Sequence, residues 1–209
     1  MLRRLFGAII PSSPDPEVIR ARESAYQDAF GSNVQILHST DRKIPHIDVY
    51  VFPPSNVRDY TVIVTGGMSD VAMQIPTGAA VPANIELILG IGQHQHWASN
   101  LLKIAAEYPS AQGAFLAAHH TLPFGGELGD GSALSAFLFI EPRILPPTLG
   151  DWMHRDPKVG FLQVVPITTE EHIFAVSKGS GALETLLAKA GFLITRDANR
   201  PSVVTASGA

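Results

Sequence analysis

Apolar runs separated by turn residues predict a sheet built from two groups of strands. The segment 46–52 alternates apolar and polar residues, whereas 60–64 and 85–91 are apolar throughout, which is typical of central strands covered on both faces. Four strand candidates come before a long helical segment and three come after it. In chain order these candidates are 34–37, 46–52, 60–64, 85–91, 114–118, 134–140 and 159–167.

Two segments in the first half of the chain have apolar residues at helical spacing. The first begins where the capping side chain of Asp15 precedes Pro16, and it ends at Gly31. The second is expected to stop at Pro109. Its predicted buried face consists of Trp97, Leu101, Ile104, Ala105 and Tyr108.

Two helices are predicted after the last strand. Thr168 and Glu171 have the spacing of a capping box, which indicates the start of a short helix. The final helix ends at Gly191. Its apolar positions are Leu183, Leu186, Leu187 and Ala190.

The order of these elements indicates the fold class. Strands in runs, not alternating singly with helices, favour an α+β fold with a mixed β-sheet and flanking helices in a single domain. We expect residues 1–32 to form an N-terminal segment and helix that pack on the domain. The domain itself is predicted at 33–194, followed by a loose polar tail at 195–209.

Composition excludes several classes of function. The net charge is 15 − 19 = −4 with histidine neutral, and the basic residues are scattered, so nucleic acid is not an expected partner. The chain has no cysteine, which removes disulfides and cysteine-ligated metals and fits the cytoplasm. The opening MLRRLFGAII resembles a secretory signal, but its apolar run is too short, and no segment is long enough for a membrane span.

The stretch YTVIVTGGMSD, residues 60–70, raises the question of chemistry at the end of a strand. A nucleophile elbow requires G-x-S-x-G, but Val71 stands where the second glycine would be. A phosphate loop requires a lysine, and none lies between Lys43 and Lys103. We therefore interpret Gly66 and Gly67 as a structural turn.

Histidines supply the remaining candidate chemistry. His94 and His96 are two residues apart and could bind zinc with a carboxylate, but no further ligand has the required spacing, so we predict no metal and no cofactor. His46 and Asp48 lie on one face of a predicted strand. That face is either the solvated side of the sheet or a groove for a partner.

Several short motifs together resemble the suppressor of fused domain family in its bacterial, single-domain form. The similarity covers roughly residues 33–190, and its most distinctive pieces are the Gly-Met-Ser-Asp turn and the His-Thr-x-Pro stretch. The motifs are His46-Ile47-Asp48-Val49, Thr65-Gly66-Gly67-Met68-Ser69-Asp70, His120-Thr121-Leu122-Pro123, Val164-Val165-Pro166-Ile167 and Glu170-Glu171.

The resemblance implies a non-catalytic domain that binds another protein, with an immunity protein that neutralises a toxin as one form. The animal proteins have a second domain that we do not expect here, so a clamp between two lobes is not part of the expectation. We expect a shallow partner-binding groove lined by His46, Asp48, Met68, Ser69, Asp70 and His120. The alternative is a serine- or metal-dependent hydrolase that uses Ser69, His120 and either Asp48 or Asp70.

Overall fold

A single seven-stranded sheet organises the chain. The computed structural model describes residues 15–32, 34–40, 45–154 and 158–204. The strand order is β1-β2-β3-β4-β7-β6-β5, in which β4 and β7 are parallel and the other neighbours antiparallel. The predicted mixed sheet is therefore confirmed. The strands are β1 (Gln35–Leu37), β2 (Asp48–Phe52), β3 (Thr61–Gly66), β4 (Ile85–Ile91), β5 (Thr121–Pro123), β6 (Leu134–Ile140) and β7 (Gly160–Thr168).

Helices cover both faces of the sheet. The α2 helix packs on one face, where Val49, Ile63 and Leu87 point. On the other face, α1 covers β2 and β3, and the α4–α5 pair covers β6 and β7. The helices are α1 (Pro16–Phe30), α2 (His96–Gln112), the short α3 (Gly150–Met153), α4 (Thr169–Lys178) and α5 (Ser180–Ala190).

The fifth strand is formed by a later segment of the chain than the sequence predicts. Residues 114–118 are not a strand; Leu116 is buried there and its N–H donates to the Met73 sulfur. The chain then bends at His119, which has a φ of 69°, and β5 forms immediately afterwards. Pro123 can end β5 because an edge strand has one row of backbone groups without a ladder partner.

The buried face of α2 also differs from the predicted one. The helix continues through Pro109 to Gln112 and ends at Gly113, which adopts the left-handed conformation. Ile104 and Tyr108, expected inside, are 51% and 37% exposed. Apolar residues occupy two neighbouring sides of this helix, so their spacing alone does not select the side that is buried. The buried residues are Ala98, Ser99, Leu102, Ala105, Ala106 and Pro109.

The polar tail expected from residue 195 is instead packed on the domain as far as residue 204. Thr195 bridges to Ile91, and both Thr195 and Arg200 are buried. Arg200 forms a bidentate ion pair with the buried Glu171, which also completes the predicted capping box with Thr168. A buried charge pair holds the segment because either charge alone would lose its hydration without compensation.

The predicted N-terminal segment and helix, residues 1–32, lie only partly within the described residues. Residues 1–14 lie outside the described residues, whereas α1 begins and ends where the sequence predicts, at its Asp15 cap and at Gly31. Tyr26 and Phe30 anchor α1 to the sheet. Over the described ranges, no helix combines the length and the apolar character required to cross a membrane.

Candidate functional site

The turn after β3 requires both of its glycines, for different reasons. Gly67 has a φ of 111°, and a Cβ there would lie 2.0 Å from the backbone oxygen of His46. Gly66 has no such angle, but a Cβ there would lie 2.6 Å from the Tyr50 ring and 2.9 Å from Nε of Arg22. Backbone conformation thus explains the glycine only at position 67. Gly66 instead makes room for side chains that converge on the end of the sheet.

Glu86 holds this turn from inside the sheet. It lies on β4, is fully buried, and its Oε1 accepts hydrogen bonds from the backbone N–H of Gly67 at 2.9 Å and of Ser69 at 3.1 Å. The hydroxyl of Ser69 donates to the same oxygen at 2.7 Å, and Thr65 donates to Oε2 at 2.7 Å. The carboxylate therefore supplies hydrogen-bond acceptors to N–H and hydroxyl groups that would otherwise need to bond to water.

Arg22 on α1 connects the helix to the same turn. Its Nη1 lies 3.1 Å from Oδ1 of Asp70 and 3.9 Å from Oε1 of Glu86, and its side chain is only 2% exposed. Burial by itself would lower the pKa of Arg22, but the carboxylates of Glu86 and Asp70 outweigh that effect and raise the pKa above its usual value. Beside it, burial raises the pKa of Tyr26, whose hydroxyl donates to the Thr65 carbonyl at 2.8 Å. Asp70 is thus a structural partner of α1.

Burial changes the interpretation of Met68 and Ser69. Their exposed fractions are 3% and 1%, so both side chains are almost completely buried. The Ser69 hydroxyl points at Glu86, and among the described residues no histidine hydrogen-bonds to it. This serine is part of the support of the turn.

His120 does not join the other predicted site residues. It directly precedes β5 at one edge of the sheet, whereas Asp48 begins β2 near the opposite edge. Five strand spacings separate β2 from β5, which corresponds to about 24 Å. His120 packs against the Phe115 ring instead, with the ring centroids 5.0 Å apart. The triad of the hydrolase alternative is therefore not assembled.

His46 and Asp48 do lie beside the turn, because Asp48 is the register partner of Gly66. The two oxygens of Asp48 are shared by His38 Nδ1 at 3.1 Å, His46 Nε2 at 3.3 Å and the N–H of Ser39 at 2.8 Å. The polar strand face is solvated only at this end, since α1 buries Tyr50 further along it. The cluster places two imidazoles at the surface, next to the turn.

A groove of about 390 Å³ opens beside the turn on the α2 side. Met68 and Met73 line its floor, and the exposed Ala72, Gln74 and Ser110 lie on its rim. Met68 is thus both a buried residue of the turn and part of the floor of the groove. Methionine is common in grooves that accept varied partners, because its unbranched side chain adapts in shape.

The His94–His96 pair has no metal-site geometry around it. His94 Nε2 lies 2.7 Å from the Ser99 hydroxyl, and the two imidazole rings meet edge to face. Burial and the neighbouring His96 lower the pKa of His94. The described residues contain no group of three side chains placed to hold a metal.

Sequence reasoning missed the two residues that organise this site, Arg22 and Glu86. A glutamate within the apolar run 85–91 is a signal, because a buried carboxylate must find hydrogen-bond donors. Arg22 stands four residues before Tyr26 and eight before Phe30, so it shares their face of α1. A charged residue on an apolar helix face indicates a buried partner of opposite charge.

Comparisons with known proteins agree with this architecture. A family model described as suppressor of fused protein matches residues 43–201. No curated protein sequence matches at a significant level. A suppressor of fused homologue from Neisseria gonorrhoeae has a TM-score of 0.67 and 19% identity, with 91% of this chain and 96% of that chain covered.

Two further solved structures share the fold. The structure of a Sufu–Fu complex has a TM-score of 0.66 and 17% identity and covers 88% of this chain and 91% of that chain. Drosophila Suppressor of Fused has a TM-score of 0.64 and 19% identity; 90% of this chain aligns with it, but only 53% of the Drosophila chain is covered. Because the family model spans well over half of the sequence, this chain belongs to the suppressor of fused family.

Proposed function

We propose that this chain is a non-catalytic, cytoplasmic protein-binding domain that engages its partner at the groove beside the Gly66–Asp70 turn. The observation that carries the proposal is the groove itself, which has Met68 and Met73 in its floor and a polar cluster around Asp48 near the same turn. Protein interfaces commonly have an apolar core, in which methionine is enriched, surrounded by a polar rim.

The relationship to the family supports a protein partner. One structure of similar fold is a complex of Sufu with Fu, so a protein with this fold binds another protein. A hydrolase finds less support, because the Ser69 hydroxyl is buried against Glu86 and His120 is distant. For the bacterial form we propose an immunity role, in which the partner is a toxin.

A charge on the rim of the groove tests the proposal. Ala72 is exposed on the rim, so Ala72→Arg is expected to remove partner proteins that wild-type protein retains from its native lysate, without altering thermal unfolding. Ala188→Arg is the matched control, because Ala188 is exposed on α5, which packs on the face of the sheet opposite to α2. Retention of every partner by Ala72→Arg would contradict the groove as the binding surface.

The immunity role has its own test. If a toxin gene adjoins the gene for this chain, co-expression of wild-type protein is expected to restore growth to cells that produce the toxin. Ala72→Arg is expected to lose this protection and Ala188→Arg to keep it. Growth arrest despite abundant wild-type protein would reject that toxin as the partner.

A further inference from the structure

A second hollow lies at the other end of β3, away from the groove. The β2–β3 hairpin, the end of α1 and residues 143–146 enclose about 590 Å³ there. The six residues of β3 separate this hollow from the Gly66 turn by about 17 Å, at the rise of an extended strand. The hollow and the groove have no lining residue in common, so the hollow is a separate feature.

The floor of the hollow carries a cation whose hydrogen bonds, within the described part of the chain, go to carbonyl groups. Arg58 donates from Nε to the Tyr60 carbonyl at 2.9 Å and from Nη2 to the Pro53 carbonyl at 2.7 Å. Longer bonds of 3.4 Å reach the carbonyls of Phe30 and Phe52. These bonds use four of the five N–H groups of the guanidinium and fix its orientation.

The charge of Arg58 has no carboxylate against it within the described part of the chain. Burial lowers the pKa of Arg58, as expected for a half-buried cation whose neighbours are carbonyl groups and the rings of Phe30 and Tyr60, each 5.8 Å from the guanidinium carbon. Asp59 is its sequence neighbour and also lines the hollow, but Arg196 takes that carboxylate at 2.9 Å. A half-buried, unmatched positive charge favours an anion as the occupant of the hollow.

A second arginine lines the hollow from the opposite wall. Arg143 is 62% exposed and donates to Glu184 at 2.9 Å through Nη2, which leaves other donors of its guanidinium for a ligand. Three arginines (58, 143 and 196) and two carboxylates (59 and 184) lie on the lining of the hollow or next to it. Their local charge is 3 − 2 = +1, in a chain whose net charge is −4.

Apolar side chains accompany these charges. Val57 is 95% exposed at the tip of the β2–β3 hairpin, a position that usually favours a small polar residue. Ile144 and Leu145 line the same hollow and are half-buried. Arginine is enriched among the residues that dominate binding energy in protein interfaces, and the apolar side chains beside it offer area to bury.

We propose that this hollow is a second interaction surface, which binds an acidic peptide segment that has apolar side chains next to its carboxylates. A carboxylate meets Arg58 and Arg143, while an adjoining apolar side chain packs on Val57 and Ile144. The proposal goes beyond the function assigned to the groove, because it gives the domain a second partner site of different chemistry at the opposite end of the sheet.

A defined peptide tests the proposal directly. A fluorescein-labelled Glu-Leu-Glu-Leu-Glu-Leu peptide is expected to bind wild-type protein in an anisotropy titration, and to bind more weakly as salt is added. Arg143→Gln and Val57→Asp should each weaken binding by about fivefold or more, because each lowers the positive charge of an exposed wall. Arg20→Gln, at an exposed position on α1 outside the hollow, is the matched control and should bind like wild type.

Other outcomes would overturn the proposal. Equal binding of the neutral Gln-Leu-Gln-Leu-Gln-Leu peptide, or unchanged affinity in Arg143→Gln, would show that charge does not select the ligand. Absence of binding up to about 1 mM of the acidic peptide would reject the site. Ala72→Arg should leave this binding intact; if it abolished binding, the peptide would occupy the groove and the hollow would not be its site. Failure here leaves the groove proposal standing, since the two tests use different variants.

Discussion

Arg22 of α1 and Asp70 of the turn after β3 form a part-buried ion pair across 48 residues of sequence, with Nη1 3.1 Å from Oδ1. The pair ties the first helix to the end of the central sheet, at the point where the polypeptide turns towards the groove. Glu86 lies near the same nitrogen, with its Oε1 3.9 Å from Nη1. The position of the turn therefore depends on a helix that precedes the segment matched by the family model.

Replacing Arg22 tests this relationship. Arg22→Met is expected to lower the free energy of unfolding by about 3–5 kcal/mol, because it leaves the buried Glu86 and the part-buried Asp70 without their cation. Arg20→Met is the control, since Arg20 is exposed on the same helix. Urea titration measures both. Equal midpoints for the two variants would contradict a structural role for the Arg22–Asp70 pair.

Much of the fold could be predicted because local rules and tertiary structure agree. The α1 boundaries follow from the Asp15 cap and Gly31, and the central strands follow from their apolar runs. The placement of β5 could not be predicted: residues 114–118 are as apolar as a strand but pack as irregular chain, and only contact with β6 selects 121–123.

The site could be predicted only where strands that are adjacent both in sequence and in the sheet bring its residues together. His46 and Asp48 come together with the turn because β2 and β3 are neighbours in register. His120 could not be placed from sequence, because its distance from Asp48 depends on the order of strands in the whole sheet. Arg22 and Glu86 meet through long-range packing, which leaves no periodic pattern in the chain.

Gly67 can be tested against another glycine of positive φ. Gly67→Ala combines an unfavourable backbone angle with a Cβ placed against the His46 carbonyl. At Gly78, which has a φ of 88°, no atom of the described residues other than its chain neighbours lies within 4 Å of such a Cβ. Gly78→Ala is expected to cost about 1–2 kcal/mol for the angle alone. Gly67→Ala should cost clearly more in thermal and urea unfolding. Similar losses of stability in the two variants would show that the backbone near His46 moves away from the added Cβ at little cost.

The buried face of α2 gives a packing prediction. Leu102 and Leu187 are fully buried, so truncation of either to alanine should cost about 2–5 kcal/mol. Leu101 is half-buried beside the same core, and Leu101→Ala should cost less than Leu102→Ala. Urea unfolding of the three variants decides the matter. A larger loss for Leu101→Ala than for Leu102→Ala would restore the helix face that the sequence suggested.

His94 gives a prediction about pH. Burial and His96 lower the pKa of His94 in the folded state, so below its ordinary value of 6.5 the unfolded chain binds the proton more readily. Stability attributable to His94 is therefore present above pH 6.5 and is lost as the pH falls towards the folded pKa. His94→Gln should reduce the fall in the urea midpoint between about pH 7.5 and 5.5. The exposed His154 supplies the control His154→Gln, and an identical fall in both variants would reject the assignment.

Ser69 separates a supporting role from a catalytic one. Its hydroxyl is one of four groups that donate to Glu86, so Ser69→Ala is expected to cost about 0.5–1.5 kcal/mol of stability. Glu86→Ala should cost more, because it leaves all four buried donors without an acceptor and removes a carboxylate close to Arg22. A nucleophile would behave in the opposite way: Ser69→Ala would leave stability nearly intact and abolish hydrolysis of an ester such as p-nitrophenyl acetate. Measuring unfolding and hydrolysis on the same preparations of both variants distinguishes the two roles. Ester hydrolysis above the background rate that is lost only in Ser69→Ala would overturn the binding function.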